Sequence, residues 1–511
     1  MSDAKKLMKN TILLTAASFL MRTVSVSFNV YLTNRIGADG IGLFQLVFAV
    51  YALAITFACS GIRLTATRLV ADSIALGKRN GRQLVRICIF YALICAAVTA
   101  VLLLAFSKLI GTHWIGDTRS TAPLRMLCLS LPFVSVSEAL DGYFTAVGKL
   151  VRYTFVQFLE QVFKIAVTVA ALNRPVSDGL ESACLAVTFG ISAAEVFSLA
   201  CVYILYRFTS EKSEFSEKRP AIISKLLKIA VPDAVGSEMR SILMTAEHLL
   251  IPAGLKKSGS DTQGALASYG VIHGMSLPLL LYPSALLSSL SGLLIPEVSA
   301  HHIAGSRISI SRITARVLHL TLIFSIGTAG VMYFNAQKLS LAVYGSADSA
   351  FYMQIISPLI PIMYTDMSVD GILKGLDQQV SCMRYNIIDA ALCVVLVYLL
   401  VPVMGVKGYI VVIFASECIN FFLSFRRLAV VSEVKIELFR DIVIPLLCVV
   451  SANLFKNVFC VLFPFFGGIK AEAAFETIFS VFCYSALLIV FRSIDNNDVL
   501  WIKRIIKPVK P

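Results

Sequence analysis

Long apolar segments alternate with short polar segments along almost the whole chain. Each apolar segment has roughly 17–25 residues, which is the length an α-helix needs to cross the hydrocarbon core of a bilayer. The longest polar interruption before the C-terminal tail is Tyr206–Lys228. The pattern predicts fourteen membrane-spanning helices in groups of six, six and two, at about 11–33, 41–62, 87–107, 122–147, 153–172, 183–206, 229–253, 264–298, 317–336, 351–373, 385–403, 408–425, 441–464 and 475–491.

The grouping predicts an all-α polytopic membrane protein with two pseudo-symmetric six-helix lobes. The segment 264–298 is too long for one straight span, and a tilt or a turn near Pro278 or Pro283 would accommodate it. The predicted parts are an N-lobe at 1–206, a cytoplasmic connector at 207–228, a C-lobe at 229–428, two further helices at 429–491 and a basic cytoplasmic tail at 492–511.

Composition and charge placement agree with this topology. Hydrophobic residues make up 57% of the chain and charged residues 15%, with a mean hydropathy of +0.81. A soluble protein of this size could not cover so much apolar surface. The net charge of +14 does not indicate nucleic-acid binding, because the Lys and Arg residues concentrate in alternate loops, about threefold over the others. The positive-inside rule then predicts that both termini are cytoplasmic.

The two six-helix groups contain matching short motifs. Met-Arg-Thr around Arg22 corresponds to Met-Arg-Ser around Arg240, near the start of each group. A Leu-Pro…Asp-Gly pattern from Leu131 corresponds to Ile-Pro…Asp-Gly from Ile360, 229 positions later. Both groups start inside and contain an even number of helices, so they are parallel repeats. Transporters of this architecture carry their substrate site between the halves.

Arg22 and Arg240 are predicted near mid-bilayer, where a charge costs on the order of 2.5–3.5 kcal/mol unless it has a partner or a wet cavity. A guanidinium offers a planar, bidentate fork to phosphate oxygens. We therefore predict that the two arginines face a shared central cavity and bind a pyrophosphate. The alternative is that a neighbouring carboxylate neutralises each arginine and only holds helices together.

The seventh helix is the most polar span. Asp233, Arg240 and Glu247 are seven positions apart, so they share one helix face with a drift of about 20° per step. Glu238 points elsewhere on the same helix. Asp233, Glu238 and Glu247 are predicted as a polar stripe of the cavity, and a self-neutralising row packed against the first helix is the alternative.

Acidic residues also occur toward the predicted cytoplasmic ends of the fourth and tenth helices. They are predicted as a gate whose ion pairs break on inward opening, and the alternative is ordinary charge in the headgroup zone. Lys374 follows at i+4 and i+8 of the second set and can pair with it. The gate residues are Glu138, Asp141, Asp366, Asp370 and Lys374.

Enzyme and cofactor motifs are missing from the sequence. There is no Walker motif, no G-x-S-x-G, no large extramembrane loop and no metal-spaced His/Cys/Glu set, and the twelve cysteines form no C-x-x-C pair. The prediction is a non-enzyme without cofactor or bound metal, whose coupling ion, Na⁺ or H⁺, stays open.

The segments KNTILLTAASFLMRTVSVSFNVYLTNRIGADGIGLFQLVFAVY and SGIRLTATRLVAD resemble the polysaccharide-biosynthesis branch of the MATE-like (MOP) exporters. The similarity is greatest to the stage V sporulation protein B-like group and the lipid II flippases. The resemblance implies flipping of an undecaprenyl-pyrophosphate-linked saccharide by alternating access in a bacterial plasma membrane. It further implies that Arg22 holds the pyrophosphate and that the last two helices take the lipid tail. Membrane lipids and cell-wall synthesis enzymes are the implied partners.

One departure from the family and two alternatives stay open. The eighth helix has His273 where lipid II flippases carry an arginine, which leaves the identity of the glycan open. A drug or cation antiporter of the same fold commonly needs an acidic residue in the first helix, yet no Asp or Glu occurs between Asp3 and Asp39. A non-transporting scaffold for envelope synthesis is the third reading, which would leave the buried arginines without a purpose.

Overall fold

The structure, a computed structural model, describes residues 2–77, 80–173, 179–209, 219–434, 437–463 and 467–494, and every regular element in these ranges is helical. The α-helices up to the middle of the chain are α1 (Ser2–Cys59), α2 (Ile62–Ala75), α3 (Gly81–Leu109), α4 (Thr121–Cys128), α5 (Leu131–Ala146), α6 (Leu150–Leu172), α7 (Leu180–Thr209), α8 (Arg219–Lys257) and α9 (Thr262–Gly270). The remaining ones are α10 (Leu277–Leu281), α11 (Ala285–Ile303), α12 (Arg307–Phe334), α13 (Ala336–Tyr344), α14 (Asp348–Ile356), α15 (Ile360–Gly375), α16 (Gln379–Met404), α17 (Val406–Ser432), α18 (Ile444–Leu462) and α19 (Ile469–Val490).

The chain is a multi-pass membrane protein. Among the described residues, ten helical stretches are long and apolar enough to cross a membrane, and α4 with α5 makes an eleventh if that bent pair is one span. The bend between α4 and α5 is 48°. The expected fourteen spans therefore stay a prediction, since helices such as α8 are too polar to be recognised by composition alone.

The first two predicted spans lie in α1 as two helical segments that meet at a kink at Gly37. Gly37 has φ 77° and ψ 176°, a conformation that a residue with a Cβ adopts only with strain. The two helical segments are thus separated at a single residue.

The fourth helix of each predicted repeat is broken at the same place. The bend after α4 precedes the Leu131–Pro132 pair of α5, and a 3-10 turn (Ser357–Leu359) precedes the Ile360–Pro361 pair of α15. Proline at the second helical position lacks the N–H that would continue the preceding helix. The matching breaks support the internal duplication.

The over-long segment 264–298 contains the expected interruption. A π-helical turn (Val271–Ser276) leads into α10, and a 3-10 turn at Tyr282–Ser284 separates α10 from α11. Pro283 lies in that second turn. The turn near Pro283 is therefore confirmed, and it leaves backbone carbonyls that need donors from elsewhere.

The helices pack into two compact units, which are described separately. One unit comprises Met1–Ala38, Ser268–Leu396 and Met404–Pro511, and the other comprises Asp39–Ala267 and Val397–Val403. The second unit has a core built on α2, α3 and α5, with Ile62, Val85 and Phe144 fully buried. The first unit has one core around α12, α15 and α17 and a second around α18 and α19.

The connector and the tail fall partly outside the described residues. The described ends of the predicted connector 207–228 are helical, because α7 ends at Thr209 and α8 begins at Arg219. Residues 210–218, and the tail from 495 onward, lie outside the described residues. The lobe, connector and tail boundaries stay predictions.

Candidate functional site

Arg22 binds the interrupted helix segment of its own unit. Its Nη2 donates to the carbonyl oxygen of Leu281 at 2.8 Å, next to the turn that contains Pro283. Thr23 Oγ1 and Tyr282 Oη are hydrogen-bonded at 2.9 Å, and Tyr364 Oη donates to Leu280 O at 2.6 Å. The guanidinium is therefore held at a point where the helix break exposes carbonyl groups.

This contact leaves most of the guanidinium available. Arginine has five N–H donors, and in the part of the chain that the structure describes, the Leu281 carbonyl is the partner of Arg22 and no carboxylate pairs with it. The alternative in which a neighbouring carboxylate neutralises Arg22 therefore has no support in the described contacts. A half-buried, uncompensated guanidinium can bind an anion through its remaining donors.

Arg240 lies on α8 in the other unit. It is exposed, and within the described ranges it forms no ion pair. Asp233 is exposed and Glu247 is half-buried on the same helix. In the described contacts Arg240 forms no ion pair with either of them, and the polar stripe and the self-neutralising row both stay predictions. The predicted meeting of Arg22 and Arg240 stays a prediction, because each lies in its own unit.

Glu238 differs from the other acidic residues of α8. Ser60 Oγ donates to Glu238 Oε1 at 3.3 Å, and Glu238 lines an apolar cavity of about 600 Å³ within its unit. Ser60 itself has a φ of 37°, in the short break between α1 and α2. The expectation that Glu238 points away from the row of Asp233 and Arg240 agrees with this contact.

A gate residue of the fourth helix pairs with a cation on another helix. Asp141 is 2% exposed, and its Oδ2 lies 2.7 Å from Nε of Arg63. α2 packs closely on α5 here, since a Cβ on Gly142 would lie 2.5 Å from the Arg63 carbonyl oxygen. Half-buried Glu138 lies on the same helix.

The gate residues of the tenth helix form the expected local pair. Lys374 Nζ lies 3.7 Å from Asp370 Oδ2, one helical turn away. Asp366 accepts a hydrogen bond of 3.0 Å from Asn420 Nδ2 on α17. The two carboxylates therefore have different surroundings, since only Asp370 has a cation as a partner in the described contacts.

Two polar clusters in the first unit escaped the sequence reasoning. Buried Lys456 donates to Asn335 Oδ1 at 2.9 Å and lies 3.5 Å from Glu476 Oε2. Lys338 binds both Glu476 and Glu472, the latter at 2.6 Å. Burial opposes the charge of Lys338, yet the hydrogen bonds to Glu472 and Glu476 raise its pKa above the usual value. Lys456 inside an apolar segment was the available signal.

The other missed cluster lies where the last helix pair begins and ends. Buried His319 on α12 forms a hydrogen bond of 2.6 Å with Asp441 Oδ1 and one of 2.9 Å with the carbonyl oxygen of Ser493. The partners are 122 and 174 positions away in sequence, so no local pattern announces them. Together the two clusters hold α18 and α19 at both ends.

Comparison with known proteins places the chain in a family. The family model described as polysaccharide biosynthesis protein matches residues 7–300. Stage V sporulation protein B of Bacillus subtilis (strain 168) is 21% identical over 501 residues, which is 96% of each chain. Sporulation protein YkvU of the same organism is 20% identical over 401 residues, or 77% of this chain and 88% of that protein.

Two solved structures share the fold. The structure titled lipid II flippase MurJ, inward closed conformation, has a TM-score of 0.72 at 13% identity, covering 94% of this chain and 99% of the other. An inward-facing multidrug resistance MATE family transporter of the MOP superfamily has a TM-score of 0.63 at 11% identity, covering 83% and 99%. The all-helical architecture is thus MATE- and MurJ-like.

Proposed function

Since the chain belongs to the polysaccharide biosynthesis protein family, we propose that it is a membrane transporter that flips a lipid-linked saccharide. The substrate is an undecaprenyl-pyrophosphate-linked glycan, such as a peptidoglycan precursor, moved from the inner to the outer leaflet of a bacterial plasma membrane. The names of its relatives, which include a lipid II flippase and stage V sporulation protein B, support this class of function.

The observation that carries the proposal is that Arg22, within the described ranges, donates to a backbone carbonyl and forms no ion pair with a carboxylate. Its carbonyl partner, Leu281, fixes the side chain without cancelling its charge. A pyrophosphate would supply the missing negative charge through charge-assisted hydrogen bonds. Exposed Arg240 supports the same role from the other unit.

We further propose fourteen spanning helices, both termini in the cytoplasm, and alternating access between two lobes. Asp233, Glu238 and Glu247 would line the polar part of the path, and the pairs around Asp141 and Asp370 would act as the cytoplasmic gate. A coupling ion, if one is used, would be Na⁺ or H⁺, and partner enzymes of cell-wall synthesis would supply the glycan.

The test is leaflet transfer in liposomes that contain the purified protein. Fluorescent undecaprenyl-pyrophosphate disaccharide should cross, and a cationic dye should not. Transport of the dye alone would instead establish an antiporter. If neither compound crosses, a non-transporting scaffold for envelope synthesis is the remaining interpretation.

Two variants of Arg22 test the residue that carries the proposal. We expect Arg22→Ala to reduce transfer at least tenfold, because the pyrophosphate loses its charged partner. Arg22→Lys should retain only part of the activity, since an ammonium keeps the charge but not the planar fork. Full activity of the lysine variant would mean that charge alone suffices, and full activity of the alanine variant would refute the pyrophosphate contact.

A further inference from the structure

Asn29 is a second donor from α1 to the broken eighth span, which runs from α9 through α11. Its Nδ2 donates to the carbonyl oxygen of Gly274 at 2.6 Å. Gly274 lies in the π-helical turn that precedes α10, and Leu281, the partner of Arg22, borders the 3-10 turn that follows α10. The two side chains therefore bond α1 to the two irregular places of one span.

The spacing of these contacts selects one register for the two helices. Arg22 and Asn29 are seven positions apart on α1, and Leu281 and Gly274 are seven positions apart in the reverse direction. Seven residues make nearly two helical turns and about 10 Å of rise, so both donors lie on one face of α1 and reach their acceptors together. A shift of α1 by one residue would break both hydrogen bonds.

Tyr282 adds a third contact in the same register. Thr23 Oγ1 donates to the Phe19 carbonyl oxygen at 2.9 Å, so the Thr23 hydroxyl accepts from Tyr282 Oη, which is 2.9 Å away. The rings of Phe19 and Tyr282 lie 5.9 Å apart. The residue that follows Leu281 is thus itself bound to α1, next to the carbonyl that Arg22 contacts.

These contacts are neutral on the side of the eighth span. The acceptors of both Arg22 and Asn29 are backbone carbonyls, which fix the side chains without supplying a negative charge. Asparagine side chains hydrogen-bond across packed helices in membranes, and a single asparagine between packed helices can fix their register. Asn29 can therefore hold α1 in place while the charge of Arg22 stays available to an anion.

We propose that Asn29 is a positioning residue for Arg22. Its hydrogen bond to Gly274 holds α1 in the register that presents the guanidinium to the pyrophosphate of the transported lipid. The proposal rests on the proposed function and deepens it, because it assigns Asn29 to the same anion site without a contact between Asn29 and the substrate.

The test is modification of Arg22 by phenylglyoxal, an arginine-selective reagent, in the full-length protein in phosphatidylcholine nanodiscs. Peptide mass spectrometry gives the rate at each arginine. Asn29→Leu keeps the shape of the side chain and removes its donor. Arg22 should then react about threefold faster, the factor expected for one interhelical hydrogen bond in a membrane. Arg35, exposed on the same helix, should react at the wild-type rate.

Two further variants distinguish this hydrogen bond from a general loosening of α1. Asn29→Gln keeps an amide donor and should restore much of the slow rate. Asn34→Leu makes the same change five positions later, where the exposed amide lies 3.4 Å from the Val343 carbonyl oxygen, and should change nothing. Asn29→Ala replaces Asn29→Leu if the leucine does not fit. A wild-type rate at Arg22 in the leucine variant, or an equal rise in either of the other two variants, overturns the proposal.

Adding undecaprenyl pyrophosphate separates the positioning role from the proposed function. The probe should slow the modification of Arg22, and Asn29→Leu should raise the half-protecting concentration about threefold. If the probe does not protect Arg22 in the wild type but Asn29→Leu still speeds its modification, positioning is retained and pyrophosphate binding at Arg22 is rejected. Protection that Asn29→Leu leaves unchanged retains pyrophosphate binding and rejects the positioning role.

Discussion

Individual charges in this apolar chain are stabilised by three kinds of partner. Arg22 donates to a backbone carbonyl freed by a helix break, Arg63 pairs with a carboxylate of another helix, and Asp117 is bound by a residue two positions away. Only the last arrangement compensates the charge within one loop. The first leaves a net charge at the site, which is why Arg22, and not Arg63, is the candidate ligand.

Asp117 should make the stability of the chain depend on acid pH. Burial of its carboxyl would raise the pKa, but hydrogen bonds from the Arg119 guanidinium and backbone N–H outweigh burial and lower it. A carboxyl with a lowered pKa stabilises the folded state above its ordinary pKa, near 3.9, and this stabilisation is lost as the pH falls through the folded-state value. Because Arg119 is partly exposed, we expect Asp117→Asn to cost only about 1 kcal/mol at pH 7.

The measurement is thermal unfolding followed with a thiol-reactive fluorogenic dye, which the free cysteines permit. The difference between wild type and Asp117→Asn should be present from pH 5 to 7 and shrink below pH 4. Asp72→Asn, at an exposed position of α2, should show no such difference. An equal loss at all pH values would mean that the carboxylate charge is not what stabilises the loop.

The contrast between Arg22 and Lys456 shows what the sequence could predict at this scale. Both are cations in apolar segments, and a mid-membrane charge by itself indicates a partner or a cavity. The partner of Lys456, Glu476, is 20 positions away across a helical hairpin, and Leu281 is 259 positions from Arg22. Residue type therefore predicted a site at Arg22 and offered the same signal, which was missed, at Lys456, while the partners of both depend on which helices pack together.

At the scale of elements, α18 and α19 form a hairpin fixed by polar contacts at both ends. Between these contacts lies an apolar core that includes Cys448, Cys483 and Tyr484. Gly327 of α12 lies so close to the hairpin that a Cβ there would be 2.3 Å from the Tyr484 ring. The hairpin is thus packed as part of its unit rather than as an appendage.

Removing the buried ammonium should loosen this hairpin. Lys456→Met keeps the side-chain length but removes the donor that Asn335 and Glu476 share, while Glu476 keeps its contact with Lys338. Leaving a buried polar group unsatisfied costs about 1–3 kcal/mol. Local opening at that cost should speed modification of Cys448 and Cys483 by a hydrophobic maleimide by roughly 10-fold. Peptide mass spectrometry gives the rate at each cysteine.

Lys470→Met is the matched control, because Lys470 is exposed at the start of α19. It should leave both rates unchanged. Combining Lys456→Met with Glu476→Gln should loosen the hairpin further, because the second change also removes the carboxylate that binds Lys338. If Lys456→Met reacts like the wild type, the lysine does not hold the hairpin.

Prolines mark the helix breaks at the scale of elements. The turn near Pro283 was predicted, whereas the motifs at Leu131 and Ile360 were predicted only as marks of the internal repeat within continuous spans, and they too coincide with interruptions. Proline removes a specific hydrogen bond wherever it occurs. The kink at Gly37 was less predictable, because Gly40 and Gly42 lie close by in sequence and only Gly37 of the three has a positive φ.

For the whole molecule, the two packed units do not coincide with the two six-helix groups of the sequence repeat. The first helical stretch, up to Ala38, packs with residues from the C-terminal half, and Val397–Val403 of α16 packs with the other unit. The predicted lobe boundaries follow the internal duplication, and therefore the order of the helices along the chain. Apolar periodicity cannot show which of several similar helices will be neighbours, so these exchanges were not predictable.

The proposed fourteen-span topology makes a definite statement about each loop. Ser258 follows α8 and should face outward, whereas Ala304 follows α11 and should face the cytoplasm; both are exposed. We expect Ser258→Cys to react with a membrane-impermeant maleimide in intact cells, and Ala304→Cys to react only after permeabilisation. The parent chain, in which Cys418 is exposed, provides the background signal.

The two positions flank a single predicted span made of α9, the π-helical turn, α10 and α11. Because that segment is broken near Pro283, it is the one place where a re-entrant loop would put both cysteines on the same side. If both variants are labelled in intact cells, both loops lie outside the cell. Every later loop would then lie on the side opposite to the predicted one, which contradicts a cytoplasmic C-terminus. Labelling on opposite sides would show that the segment to which Arg22 binds crosses the bilayer, as a transport path requires.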